Sequence, residues 1–108
     1  MTTLEPEFVS KDERRSLTQL LTADIKQVNV YEAKEGSVLG NHYHKQTTEY
    51  FYILEGKVGY NKATVLGKGS LFSVRPLENH TITCLSDVQM MTFLTVPFDK
   101  ENPDLWKE

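Results

Sequence analysis

The sequence has little that would cross-link the chain or divide it. It contains one cysteine, Cys84, so no disulfide can form within the chain. A single unpaired cysteine is typical of proteins kept in a reducing cytosol. No stretch rich in Pro, Gly or Ser separates two segments, and no repeat is present. With 108 residues, 39% of them hydrophobic and 25% charged, the chain is predicted to form one globular domain over residues 1–108.

Excess positive charge and long apolar runs are also missing. Lys and Arg number 12 against 15 Asp and Glu, a net charge of −3, so the usual electrostatic basis for binding nucleic acid is absent. The longest uninterrupted apolar run is Tyr50–Leu54, far below the roughly 20 residues of a membrane-spanning helix. Residues Met1–Glu7 lack the pattern of a signal peptide. We therefore expect a cytoplasmic protein that binds neither nucleic acid nor a membrane.

Short runs of β-branched and aromatic residues are what the chain has instead. Turn-forming residues separate five such runs, which are predicted to be strands: Ile25–Ala33, Glu49–Glu55, Leu71–Arg75, His80–Leu85 and Val88–Val96. Asp12–Leu21 has leucines at helical spacing, but Phe8–Leu21 also fits a hairpin around charged residues, and we favour the hairpin. Many short strands with almost no helix indicate an all-β sandwich or barrel.

Strand alternation predicts which side chains share a face. If Glu49 faces the interior, Phe51 and Ile53 face it too, while Tyr50, Tyr52 and Leu54 turn outward. An outward apolar ridge of this kind indicates a partner surface. By the same rule Cys84 shares a face with His80, and we interpret it as a small core residue.

All three histidines lie in two short segments. His42 and His44 are two residues apart, so on a strand they point to the same side. A turn after them would bring Glu49 beside the two imidazoles, and His80 at the opening of another strand offers a fourth ligand. Imidazole nitrogens and a carboxylate suit a divalent transition metal such as Zn, Mn, Fe, Ni or Co, whereas calcium and magnesium prefer oxygen ligands.

An isolated pair of histidines on a strand is most often incidental and faces solvent. Here the pair belongs to a longer pattern that would arise by chance about once in tens of thousands of chains of this size: Gly36, His42, His44, Glu49 and Gly56. This spacing resembles the first motif of the cupin family, and a second segment resembles its second motif: Gly69, Pro76 and His80. The resemblance implies a double-stranded β-helix, which is a jelly-roll barrel, over the whole chain. It also implies a metal site formed by the three histidines and Glu49.

Further segments resemble the cupins that act on nucleotide-linked keto sugars: Asp12–Arg14, Lys26–Val28, Gly40–Lys45 and Phe98–Asp104. Those cupins are the deoxysugar 3,4-ketoisomerases and the cupin domain of the capsular UDP-sugar epimerase-reductases. The sequence departs from them at Arg15 and Leu39, where those families tend to have glycine and arginine. The resemblance implies a homodimer and an isomerase or epimerase whose small-molecule substrate is a nucleotide-linked 4-keto sugar.

Such a substrate is anionic, and Arg14, Lys45 and Arg75 are the candidates to bind it, because guanidinium and ammonium groups pair with phosphate. The chemistry has two exclusive forms. Either a metal polarises the carbonyl and a pocket residue moves the proton, or the site is metal-free and His42 or His44 is the catalytic base. The forms exclude each other because a liganded imidazole has no free lone pair.

Two other functions fit the same residues. The ligand set also suits a small iron- or manganese-dependent dioxygenase, in which two free positions on the metal take dioxygen and substrate. A non-catalytic small-molecule binding or sensor protein is the third hypothesis, because the sequence shows no obvious general acid or base outside the ligand set.

Overall fold

The computed structural model describes residues 1–107 and contains, within them, eleven strands and no helix. Accordingly, no helix in this part of the chain is long and apolar enough to cross a membrane. The strands are β1 (Thr2–Leu4), β2 (Phe8–Lys11), β3 (Ser16–Gln19), β4 (Gln27–Ala33), β5 (Val38–His42), β6 (Glu49–Glu55), β7 (Lys57–Tyr60), β8 (Thr64–Gly67), β9 (Leu71–Val74), β10 (His80–Cys84) and β11 (Val88–Leu94).

These strands form two larger sheets and a separate hairpin. One sheet has the order β1-β9-β6-β11-β4, the other has the order β5-β10-β7-β8, and all neighbours are antiparallel. The chain passes repeatedly from one sheet to the other, which is the arrangement of a jelly roll. The predicted all-β, single-domain jelly-roll fold is confirmed.

All five predicted strands are present, with ends that differ by at most two residues. β6 has the predicted bounds, whereas β11 ends at Leu94 rather than Val96. Beyond this end Thr95 contacts Thr48: the Thr48 N–H donates to Thr95 Oγ1 (2.9 Å), and the Thr95 N–H donates to the Thr48 carbonyl (3.2 Å). Pro97 then follows and has no N–H for a ladder.

The hydrophobic core lies between the two sheets. Phe51 and Ile53 on β6 point inward and are 3% and 0% exposed, as the alternation predicted. From the opposite sheet, Val58 and Ile82 pack into the same cluster. Cys84 belongs to this cluster and is 1% exposed, so its interpretation as a core residue is confirmed.

The outward side of the five-stranded sheet is apolar as well. On β6 the outward residues are half-buried, and across the sheet the register pairs Tyr50 with Phe93 and Tyr52 with Met91. On the edge strand β4, Val28 and Val30 are 52% and 64% exposed. We call this surface the outer face; it consists of Val28, Val30, Tyr50, Tyr52, Leu54, Met91 and Phe93.

Residues 8–19, for which the sequence favours a hairpin over a helix, form the hairpin of β2 and β3, so this prediction is confirmed. The Asp12 carboxylate closes its turn by accepting the backbone N–H groups of Arg14 (2.8 Å) and Arg15 (3.1 Å). Such side-chain bonds to nearby backbone favour turns over helices. Phe8 and Leu17 on the hairpin are exposed.

Candidate metal centre

The four predicted ligands meet at one end of the barrel. His42 is the last residue of β5, Glu49 the first of β6 and His80 the first of β10, while His44 lies in the turn between β5 and β6. One donor atom from each residue lies within 4.8 Å of the others. We call these four residues the His–Glu cluster.

Contacts within the His–Glu cluster centre on the carboxylate. Glu49 Oε1 lies 3.2 Å from His44 Nε2 and 3.7 Å from His80 Nε2. The imidazole rings of His42 and His80 are 4.6 Å apart, because these residues are register partners in the pairing of β5 with β10. His44, Glu49 and His80 are buried and His42 is half-buried.

Backbone oxygens hold the outer nitrogens of two rings. His44 Nδ1 lies 2.7 Å from the main-chain oxygen of Asp104, and His80 Nδ1 lies 3.3 Å from that of Glu78. A carbonyl oxygen can only accept, so each Nδ1 donates a proton to it. Each Nε2 is thereby left facing Glu49, the orientation that metal-binding histidines usually have.

Gly40 allows β5 to lie close to the His–Glu cluster. Its φ is +90°, a conformation that side chains disfavour, and a Cβ there would stand 3.1 Å from the main-chain oxygen of His80 and 3.4 Å from its ring. A larger residue would therefore push His80 out of its present position.

Burial and mutual charge set the protonation of the imidazoles. Burial, together with the neighbouring imidazoles of His80 and His44, lowers the pKa of His42 to about 4. Burial also lowers the pKa of His80, although Glu49 opposes the shift. Burial alone would lower the pKa of His44 as well, but hydrogen bonds to Glu49 and to the Asp104 carbonyl outweigh it and raise that pKa. At neutral pH His42 and His80 are thus neutral, which metal binding requires.

Acid should destabilise the metal-free protein through His42. Its imidazole takes up a proton near pH 6.5 in the unfolded chain but only near pH 4 in the folded one, so unfolding binds protons between these values and stability falls as the pH is lowered. His44 has the opposite sign, since its raised pKa gives stability that is lost as pH rises. We expect urea midpoints measured in a chelator to fall from pH 6.5 to pH 4.

His42→Gln isolates this contribution. The pH dependence of its unfolding free energy should be shallower than that of the wild type by up to about one bound proton in this window. Equal slopes for the two proteins would show that His42 is not held neutral by its surroundings.

The His–Glu cluster has the composition and spacing that a transition metal needs. Ligand bonds of about 2.0–2.2 Å place donor atoms at most roughly 4.4 Å apart around an ion. The donors here lie within 4.8 Å before any ion is considered, so a small contraction is sufficient. Three imidazole nitrogens and one carboxylate oxygen fit zinc, manganese, iron, cobalt or nickel, as the sequence predicted.

A cavity of about 150 Å³ opens beside the His–Glu cluster. Besides the four cluster residues, it is lined by the inward side chains of β4, which are Gln27, Asn29 and Tyr31. Partial burial and the negative charge of Glu49 raise the pKa of the Tyr31 phenol. These β4 residues are not among the predicted site residues, although their period-two spacing is the signal that places them on one face.

The three predicted substrate-binding cations do not line this cavity. Arg14 lies in the turn of the β2–β3 hairpin, where its guanidinium contacts Asp12 (3.2 Å). The Lys45 ammonium lies over the Trp106 ring, 3.7 Å from its centroid. Arg75 is exposed and directly follows β9.

Comparisons with known proteins agree with this fold. A family profile described as a cupin domain matches residues 29–97. No curated protein matches by sequence. A similar solved structure is the capsular polysaccharide assembling protein CapF from Staphylococcus aureus, with 25% identity and a TM-score of 0.66; the match covers 96% of this chain but only 33% of CapF. The chain thus spans about a third of that protein's length.

Two further structures share the fold at lower identity. The dTDP-6-deoxy-D-glucose-3,5-epimerase RmlC from Legionella pneumophila has 18% identity and a TM-score of 0.75, with 93% of this chain and 69% of that chain covered. The sugar 3,4-ketoisomerase QdtA from Thermoanaerobacterium thermosaccharolyticum has 16% identity and a TM-score of 0.75, with 95% and 85% covered.

Proposed function

The chain belongs to the cupin family, and from this premise we propose that it is a metal-binding isomerase or epimerase of a nucleotide-linked 4-keto sugar. The observation that carries the proposal is the convergence of three imidazoles and one carboxylate on a cavity that also contains a phenol outside the His–Glu cluster. The similar structures support the substrate class: the RmlC structure holds dTDP-4-keto-L-rhamnose, and QdtA is a sugar 3,4-ketoisomerase in complex with TDP.

The reaction begins with removal of a proton from a carbon next to the sugar's carbonyl group. This proton is hard to remove unless the negative charge that develops on the carbonyl oxygen is stabilised. The His–Glu cluster would hold the metal, and a bound metal supplies Lewis acidity that polarises the carbonyl. In this form of the mechanism the histidines serve as ligands rather than as bases.

The proton that leaves the carbon would pass to water in the open cavity, because the cluster residues are occupied as ligands. A proton must then be returned to the sugar, and Tyr31 is the cavity residue suited to give it. Its phenol lies among the cavity-lining residues but outside the His–Glu cluster. Its raised pKa keeps the group protonated at neutral pH, so it can give but not take a proton there, and its place in the cavity makes it the candidate general acid. Tyr31 therefore provides the acid that the sequence analysis did not find.

Solvent deuterium exchange tests this function. In D₂O the metal-loaded protein should incorporate deuterium at C3 or C5 of a dTDP- or UDP-linked 4-keto sugar, followed by NMR. Tyr31→Phe should slow incorporation by about 10²–10⁴-fold, the usual contribution of a positioned acid or base. Tyr52→Phe is the matched control, because Tyr52 lies on the outer face, and it should exchange at the wild-type rate.

Other outcomes would favour the other hypotheses. No deuterium incorporation into any such sugar would contradict the proposal. If oxygen uptake then depended on added iron, the protein would be a dioxygenase, and tight sugar binding without turnover would indicate a binding protein. Equal rates for Tyr31→Phe and the wild type would remove Tyr31 from the mechanism.

For the anionic part of the substrate we retain Arg14, Lys45 and Arg75 as proposed binding residues. Lys45 is the best placed of them, because it directly follows the ligand His44 and is exposed. We also place the reaction in the cytosol, since the unpaired Cys84 suits a reducing compartment.

We further propose that the protein is a homodimer that buries the outer face. This surface is contiguous, apolar and exposed at Val28 and Val30, and such surfaces commonly mark protein interfaces.

The wild type should elute with the mass of two chains in light-scattering chromatography, and Val30→Glu should elute as a monomer. Val65→Glu is the control: Val65 is also 64% exposed but lies on β8 of the other sheet. A monomeric wild type would contradict the dimer.

A further inference from the structure

The segment that follows β11 returns to the His–Glu cluster. Residues Val96–Phe98 and Asp104–Leu105 line the cavity, and Trp106 pairs with Tyr43 through two backbone hydrogen bonds of 2.8 and 2.9 Å. We call residues 96–107 the C-terminal tail. We propose that Asp104 is a positioning residue for the metal centre, which fastens this tail to the ligand-bearing turn and so orients His44.

The Asp104 carboxylate accepts hydrogen bonds from the turn that joins two of the ligands. Oδ2 accepts the backbone N–H groups of Gln46 (2.9 Å) and Thr47 (3.1 Å) and the Thr47 hydroxyl (3.0 Å). Oδ1 accepts the backbone N–H of Lys45 (2.8 Å) and the indole N–H of Trp106 (3.0 Å). Three of the four residues between His44 and Glu49 are thus held by one side chain.

The main chain of the same residue makes the second contact. Its carbonyl oxygen accepts the Nδ1 proton of His44 at 2.7 Å. A proton fixed on Nδ1 leaves Nε2 as the nitrogen available to a metal, and such outer partners set the ring orientation of ligand histidines. One residue therefore positions both the ring of a ligand and the backbone that carries it.

This arrangement differs from an ordinary turn-capping aspartate. The carboxylate and carbonyl of Asp104 reach residues 57 to 60 positions away in the sequence. Asp99 in the same tail shows the ordinary case, because its carboxylate accepts the nearby N–H groups of Glu101 (3.0 Å) and Asn102 (3.3 Å). Asp99 therefore provides a matched control.

Zinc affinity is the first measurement, made by competition with a chromogenic chelator. Asp104→Ala should weaken zinc binding by about 10–100-fold, the usual effect of removing a group that orients a metal ligand. Asp104→Asn should lose less zinc affinity than Asp104→Ala, because the amide oxygen of asparagine still accepts part of these hydrogen bonds. Asp99→Ala should bind zinc within twofold of the wild type.

The inference rests on the proposed metal site, so a metal-free measurement separates the two. In the apo protein, the Nδ1 proton of His44 should give a slowly exchanging downfield NMR signal in the wild type and in Asp99→Ala. The signal should be lost in Asp104→Ala, because without the carboxylate the tail is no longer fastened to the turn and the main-chain oxygen of residue 104 is no longer held against Nδ1. Failure of the wild type to bind zinc would count against the proposed function alone, while this signal would still decide the role of Asp104.

Two results would overturn the proposal. One is Asp104→Ala binding zinc within twofold of the wild type, and the other is persistence of the protected His44 signal in that variant. If Asp104→Ala does not fold, Asp104→Asn decides the matter by the same two measurements, with a zinc affinity and a His44 signal equal to the wild type counting against the proposal.

Discussion

Replacing His44 with alanine should abolish stoichiometric metal binding. His44 is buried and lies between Glu49 and the Asp104 carbonyl, so each of its two ring nitrogens has a fixed partner. Loss of a direct ligand should weaken affinity by at least about 100-fold, the upper end of what loss of an orienting partner costs. That factor corresponds to about 2.8 kcal/mol of metal-linked stabilisation.

Elemental analysis and thermal unfolding provide the measurements. The wild type purified without added metal should carry one equivalent and lose stability in a chelator, whereas the chelator should leave His44→Ala unaffected. Gln46→Ala is the control, because Gln46 lies exposed on the same turn and only its backbone binds Asp104. A full equivalent of metal in His44→Ala would show that the His–Glu cluster is not the binding site.

Substitution of Gly56 should cause a large loss of stability. Gly56 has a φ of +93°, and a Cβ there would lie 2.2 Å from the main-chain oxygen of Asp87 and 3.1 Å from the Cα of Val88. These are backbone atoms at the start of β11, so they cannot move without displacing a central strand. We expect Gly56→Ala to cost about 3–5 kcal/mol, within the range of severe steric mutations.

Gly36→Ala is the matched control. Gly36 has a similar φ of +89°, but a Cβ there would meet nothing within 4 Å. Gly36→Ala should lower the free energy of unfolding by only the roughly 1–2 kcal/mol of an unfavourable backbone conformation. Urea unfolding of the two variants measures the difference. Equal losses of unfolding free energy in the two variants would mean that the steric clash with Asp87 does not contribute to the destabilisation.

These two glycines show what a motif can and cannot convey. Both belong to the spacing that led to the family resemblance, and both adopt the left-handed conformation that favours glycine. The sequence predicts that such positions are turns. Only the packing distinguishes them, because the backbone that approaches Gly56 belongs to a segment about thirty residues further along the chain.

Local periodicity predicted most of the fold and the centre of the site. Side chains alternate along a strand whatever its neighbours are, so Phe51 and Ile53 were assigned to the core and Tyr50 to the outer face before any pairing was known. The same reasoning brought His42, His44 and Glu49 together, since a single turn separates them.

The sequence by itself therefore determined the features that depend on residues close together in the chain: the strands, their inner faces, and the pair of histidine ligands beside Glu49. Only the tertiary structure decided that Tyr31 lines the cavity, that His80 lies opposite His42, and that Asp104 holds the turn after His44. These contacts join residues 18 to 60 positions apart. They depend on which strands pair and where the tail returns, and no local pattern of residues encodes those choices.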